Sequence, residues 1–226
     1  MDWRDLIFWR RSPVADLDAL ATFIDEQSAF LVQKGLHEYP RARAGHYAKV
    51  LFHEREFNEV LERQRWRAYP LGLALVGEVV EGVLRPYAEG DVLRHVANLR
   101  VFVLQVFDRY PAPAALGDSV WAEARAELNQ RLQLLGLHPP KRVIDVPAPY
   151  ARTYWDLMPI AKEVRSRDFA TTHSYLKITL CNVYEKLTSR ADLPALARQL
   201  QGVEAGSPVA GLVRQVEVEA SDRSTT

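Results

Sequence analysis

Two carboxylates, Glu78 and Glu81, interrupt a run from Leu71 to Leu84 that is otherwise apolar. Three residues apart on a helix, they project from one side of it. An unpaired buried carboxylate costs several kcal/mol and shifts its pKa. Three arrangements meet that cost. The plainest makes the pair the one wet edge of its helix. The second pairs both groups with arginines of neighbouring helices. The third places them in a ligand, metal or proton-transfer site inside the bundle, with His95, His53 or His46 supplying an imidazole. A carboxylate-bridged di-iron bundle needs Glu-x-x-His pairs on two helices, and the chain contains none. His46 and His53 are seven apart on one helical face with Lys49 beside them, and that cation disfavours a metal ion and imidazole protonation alike. His95 falls in the polar stripe of a later helix, where solvent is its expected surrounding. No metal site is assigned, and no cofactor is identified.

Arginines form a second group: Arg41 and Arg43 in PRARAG, then Arg63, Arg65 and Arg67 around Trp66. Arginine beside an aromatic ring suits anion recognition, cation–π contacts or a partner interface. The bland alternative is a solvated, salt-bridged face, because Glu54, Glu56, Glu59 and Glu62 are interleaved. Nucleic acid is disfavoured as the target: no helix-turn-helix or aromatic platform accompanies these residues, and the net charge is zero.

Several motifs begin and then fail. Gly117-Asp118-Ser119-Val120-Trp121 lacks the final glycine of a nucleophile elbow, which makes Ser119 a capping-region serine. Gly72 to Gly77 has the glycine spacing of a phosphate loop, but Glu78 stands where lysine belongs and would repel phosphate. His53-Glu54-Arg55-Glu56-Phe57 ends in Phe57 where a zinc-protease motif needs histidine. Cys181, the single cysteine, lies between Leu180 and Val183 and reads as a small buried apolar residue. His173 is eight positions away and cannot form a dyad with it on one helix.

The elements that must position these groups read as helices throughout. A helix capped by Asp16 carries Leu17, Leu20, Ile24, Leu31 and Gly35 on one stripe, with Phe23 and Phe30 beside it, and Tyr39-Pro40 is expected to end it. A second is expected from Gly45 to Arg67, burying Tyr47, Val50, Leu51, Phe57, Val60 and Leu61 and pairing Glu59 with Arg63. Pro70 then opens a third, Leu71 to Leu84, apolar nearly all round as befits the middle of a bundle. A fourth spans Asp91 to Tyr110. A fifth follows Gly117-Asp118, with Trp121, Ala124, Leu128, Leu132 and Leu135 inward. Four prolines in LHPPKRVIDVPAPY predict a stiff, extended arm over 137–150, docked on its own bundle or on a partner chain. Beyond it lie a short helix near Tyr154 to Val164, a long one from Thr172 to Ser189 with an inner stripe of Leu176, Leu180, Val183 and Leu187, and a last one from Leu193 to Gln201. The Tyr-Pro pairs at 39–40, 69–70 and 110–111 are read as helix borders. The expectation is therefore all-α: one domain over 1–204 with seven or eight helices, and a polar tail over 205–226.

Composition sets the outer bounds. The 226 residues are 48% hydrophobic and 26% charged, with 29 basic and 29 acidic residues, an ordinary globular make-up. No window reaches the roughly 18 apolar residues that cross a membrane. The N-terminal MDWRDLIFWRR is too short in apolar core for a secretory signal. It is a weak candidate for peripheral membrane contact, and packing of Trp3 or Trp9 on the bundle is preferred. The resulting expectation is a cytoplasmic helical module that binds another protein or itself as an assembly or regulatory factor. The alternative is a bundle holding a small molecule or cofactor in an interior pocket, an enzyme in its strongest form.

Overall fold

A computed structural model describes residues 13–160 and 169–203. The aromatic N-terminus, the far end of the helix expected near 154–164, and the tail over 205–226 lie outside the described residues. The fold is all-α: the described residues form eight α-helices, one of them a single turn, and no strand. An isolated parallel bridge joins Val14 to Ala191.

Helix α1 (Leu17–Ala44) starts where its cap predicts, with the Asp16 carboxylate accepting from the Ala19 N–H at 2.8 Å. It does not stop at Tyr39-Pro40. Pro40 sits inside the helix and is buried. A proline there removes one backbone hydrogen bond and crowds the preceding turn. Burial of its ring, and of Leu31, Val32 and Leu36 on the same helix, offsets that loss.

The expected second helix is broken. After a 3-10 turn at Gly45–Tyr47 comes the one-turn helix α2 (Ala48–Leu51), and then a tight reversal through Phe52, His53 and Glu54. The break is held by Asn58, whose side-chain amide donates to the Phe52 and Glu54 carbonyls at 3.0 Å each. Tyr47, Val50 and Val60, expected inside, are exposed. Glu59 pairs with Arg55 at 2.7 Å instead of with Arg63.

Helix α3 (Arg55–Leu84) then runs straight through Pro70. Its second half is the axis of the molecule: apart from the half-buried Gly82, every residue from Ala68 to Leu84 is buried. It packs against α1, α4 (Val92–Phe107), α5 (Asp118–Gln133), α7 (Phe169–Arg190) and α8 (Leu193–Gln201). Each buried leucine or valine there contributes roughly 2 kcal/mol of apolar transfer. The α1–α3 crossing is close because Gly72 has no side chain: a Cβ there would meet Val32 Cγ2 at 2.9 Å and the Ser28 carbonyl oxygen at 3.0 Å. Gly72 and Gly77 are thus mid-helix packing positions and form no loop.

Asp91 caps α4 and Asp192 caps α8. Leu176, Leu180, Val183 and Leu187 of α7 are all buried, as their spacing predicts. The proline-rich connection is non-helical, but it is coiled rather than extended. Successive turns link Asp145 to Arg142, Ala148 to Asp145, and Tyr150 to Pro147 before the short helix α6 (Ala151–Asp156).

Candidate functional site

The carboxylates of α3 are not at a wet edge. Glu78 is 4% exposed and Glu81 1%. Each is paired, though neither with an arginine of a neighbouring helix. Glu78 accepts from Lys141 Nζ at 2.7 Å and from the Tyr150 hydroxyl at 2.9 Å, so both ends of the proline-rich connection are fastened to one carboxylate. Glu81 accepts from Arg85, one turn along the same chain, at 2.5 Å. Arg85 in turn donates to the carbonyls of Leu135 at 2.8 Å and His138 at 2.7 Å, closing the 3-10 turn that follows α5. Burial raises the pKa of Glu81, against the pull of Arg85, and burial beside the Glu78 charge raises that of Tyr150.

His95, expected in solvent, is 2% exposed, and neither ring nitrogen has a hydrogen-bond partner. Burial lowers its pKa, with Arg85 adding to the effect, so the ring is neutral. Among the described residues, Glu78, Glu81 and His95 line none of the best-formed surface clefts. The arrangement fastens a connection to a core helix.

The arginine group disperses. Residues 63, 65 and 67 lie on one helix at about 200° per two-residue step, so Arg65 faces away from Arg63 and Arg67, which share a side one turn apart. Arg63 is exposed. Arg65 pairs with Glu62 at 2.8 Å and lies over Trp66, whose indole N–H also donates to Glu62 at 2.6 Å. Trp66 packs edge-on against Tyr69, Tyr110 and Trp121. Arg67 borders a small cleft against α5 and α6. Arg41 lies elsewhere, at the corner between α1 and α2, and Arg43 is an exposed residue near the end of α1. His53 is also at that corner, in the reversal before α3, with Nδ1 donating to the Lys49 carbonyl. Cys181 is half-buried, not enclosed.

Two features escaped the sequence reading. The first is a half-buried polar knot in which Asp25 of α1 accepts from Tyr69 at 2.6 Å and from Tyr110 at 2.9 Å, with Arg109 3.7 Å away. Burial and the Asp25 charge push Tyr110 up to about 12 and Tyr69 higher still. The hint was that both tyrosines precede prolines.

The second is a groove between α1 and α7. Its wider part, about 460 Å³, is lined by Gln27, Phe30, Lys34, Ile178, Asn182 and Lys186 among others. A narrower apolar extension of about 240 Å³ shares Lys34 and Tyr175 and reaches Tyr39 and Met158. Phe30 is 46% exposed and Ile178 64%, while Lys34 and Lys186 hold their ammonium groups 5.3 and 5.4 Å from the Phe30 ring centroid. Tyr154 and Tyr175 close the groove floor by donating to the Leu31 carbonyl at 3.1 and 2.8 Å. Among the described residues, no three His, Cys, Asp or Glu side chains converge as a metal-ligand set, and no helix is long and apolar enough to cross a membrane. Comparison with protein-family models, with curated proteins and with solved structures finds no match to this chain.

Proposed function

We propose that this chain is an interaction module, an assembly or regulatory factor that docks a segment of another protein chain in the groove between α1 and α7. The observation that carries the reading is the exposure of Phe30 and Ile178 on either side of one cavity that deepens into an apolar slot. Large apolar groups left in water at a concave, rigidly framed place are the anchors of a protein interface, and the lysines, Glu185 and Asn182 around them provide its polar rim. A groove between two packed helices suits an amphipathic helix laid into it. The proposed compartment is the cytoplasm, where a lone half-buried thiol such as Cys181 stays reduced.

The test is a photo-activated cross-linker at Asn182, with a second at exposed Glu127 on α5 as control. Irradiation in cells is expected to give one defined protein adduct from position 182 and none from 127. Ile178→Asp is expected to remove that adduct while the helical circular dichroism stays unchanged. An adduct of twice the chain mass identifies the partner as a second copy and the module as a homodimer. No adduct from 182, or one indifferent to Ile178→Asp, overturns the reading.

A further inference from the structure

The corner where α1 turns into α2 forms a basin of about 520 Å³ lined by His37, Arg41, Gly45, His46, Ala48, Lys49, Phe52 and His53. Two permanent cations and three imidazoles face it, and no carboxylate is among the lining residues. Elsewhere the cations Arg55, Arg65, Arg85, Arg125, Arg142 and Lys141 are each bonded to a carboxylate. Arg41 and Lys49 have no such partner among the described residues. The nearby acids are engaged or face away: Glu54 accepts from the Tyr47 hydroxyl at 2.9 Å, and Glu38 borders the slot on another side of α1.

One effect opposes an anion here. The C-terminus of α1 brings a partial negative charge of about half a unit. The two full charges of Arg41 and Lys49 outweigh it. Two carbonyls at the corner are also already occupied, since the Gly45 N–H donates to Arg41 O and His53 Nδ1 to Lys49 O. That second bond leaves Nε2 as the free nitrogen of His53.

We propose that this basin binds a small phosphorylated molecule. Its phosphoryl oxygens would sit on the guanidinium fork of Arg41 and the ammonium of Lys49, with the imidazoles of His46 and His53 at the sides. Arginine matches the paired oxygens of a phosphoryl group, and lysine adds a mobile point charge. The organic part rests on Phe52, whose ring is held between His37 and Phe57 at centroid distances of 4.5 and 5.1 Å. The volume suits such a ligand, small-molecule pockets being about 300–1,000 Å³. This site is separate from the groove and does not depend on its reading.

The experiment titrates the full chain with pyrophosphate by calorimetry, following the histidine ring resonances by NMR in parallel. Saturable one-to-one binding is expected, with shifts at His46 and His53. Arg41→Glu and Lys49→Glu, both at exposed positions, are expected to weaken it at least about tenfold each, a loss of about 1.4 kcal/mol. Arg94→Glu on α4, away from the basin, is the charge-matched control. Absence of saturable binding, or an equal loss in Arg94→Glu, overturns the proposal. Acetate binding as tightly as pyrophosphate would overturn the phosphoryl assignment.

Discussion

His95 is a buried imidazole whose two nitrogens meet no partner, and burial holds it neutral. Its depressed pKa makes it an acid-side liability. The unfolded chain takes up a proton below the ordinary value of 6.5 while the folded chain does not, so stability is lost as pH falls from 6.5 towards the lowered folded value. His95→Leu is therefore expected to match or exceed the wild type by up to about 1 kcal/mol at pH 8, since it removes two unsatisfied polar atoms. It should also flatten the decline on the acid side. Urea unfolding of both proteins across the pH range checks this, and a larger acid-side loss in His95→Leu would show that the ring is satisfied in solution. Glu81 works in the opposite sense, because its raised pKa costs stability as pH climbs above the ordinary 4.5. The contrast explains why neither group's environment was visible from its neighbours in sequence. His95 occupies a helix with a polar stripe, and only the packing of Arg85 and the turn after α5 shows that this part of the stripe faces inward.

At the scale of elements, the informative junction is the one among α1, α6 and α7. Gly35 leaves room for Tyr154 and Tyr175 to reach the Leu31 carbonyl. A Cβ at position 35 would collide with the Tyr154 hydroxyl and come within 2.8 Å of Tyr175. Gly35→Ala is expected to cost about 2 kcal/mol by overpacking, which outweighs alanine's better helix propensity of about 1 kcal/mol. Chemical denaturation measures it, and a stabilised Gly35→Ala would contradict the geometry. Position 35 was legible as part of the inner stripe of α1, and so were the start of α1, the inner face of α7 and the bounds of α8. Pro40 and Pro70 were not legible. Proline's local preference points to a helix border, whereas long-range burial keeps both rings inside continuous helices. The break at 52–54 was missed for the converse reason, since it depends on Asn58 bonding carbonyls of residues that precede it.

For the whole molecule, the consequential bond is the one from α3 to the proline-rich connection. Glu78 fastens Lys141 and Tyr150, residues 63 and 72 positions away, and so ties the chain between α5 and α6 to the central axis. Glu78→Ala is expected to destabilise the fold by about 2–3 kcal/mol, less than a fully enclosed pair because Lys141 reaches solvent. Amide exchange over 145–151 should accelerate more than that of α4. Uniform acceleration would mean that the connection is held by its apolar contacts alone. The same long-range logic scatters the arginine group: Arg41 joins Lys49 and His53 at a corner, while on α3 Arg65 faces away from the side shared by Arg63 and Arg67.

What the sequence determined by itself was the class of fold and the centrality of the helix at 71–84, because helical periodicity and a nearly unbroken apolar run are local properties that survive any arrangement of neighbours. It also singled out Glu78 and Glu81 as conspicuous charges on that helix, but its plainest reading, a wet edge, is overturned by their burial. Which partners they take, that the α1–α7 groove leaves Phe30 and Ile178 in water, and that one corner collects Arg41, Lys49 and three histidines were decided only by the tertiary structure. Each depends on residues tens of positions apart, or on a chain reversal, and helical periodicity within one element carries no information about which other element will face it.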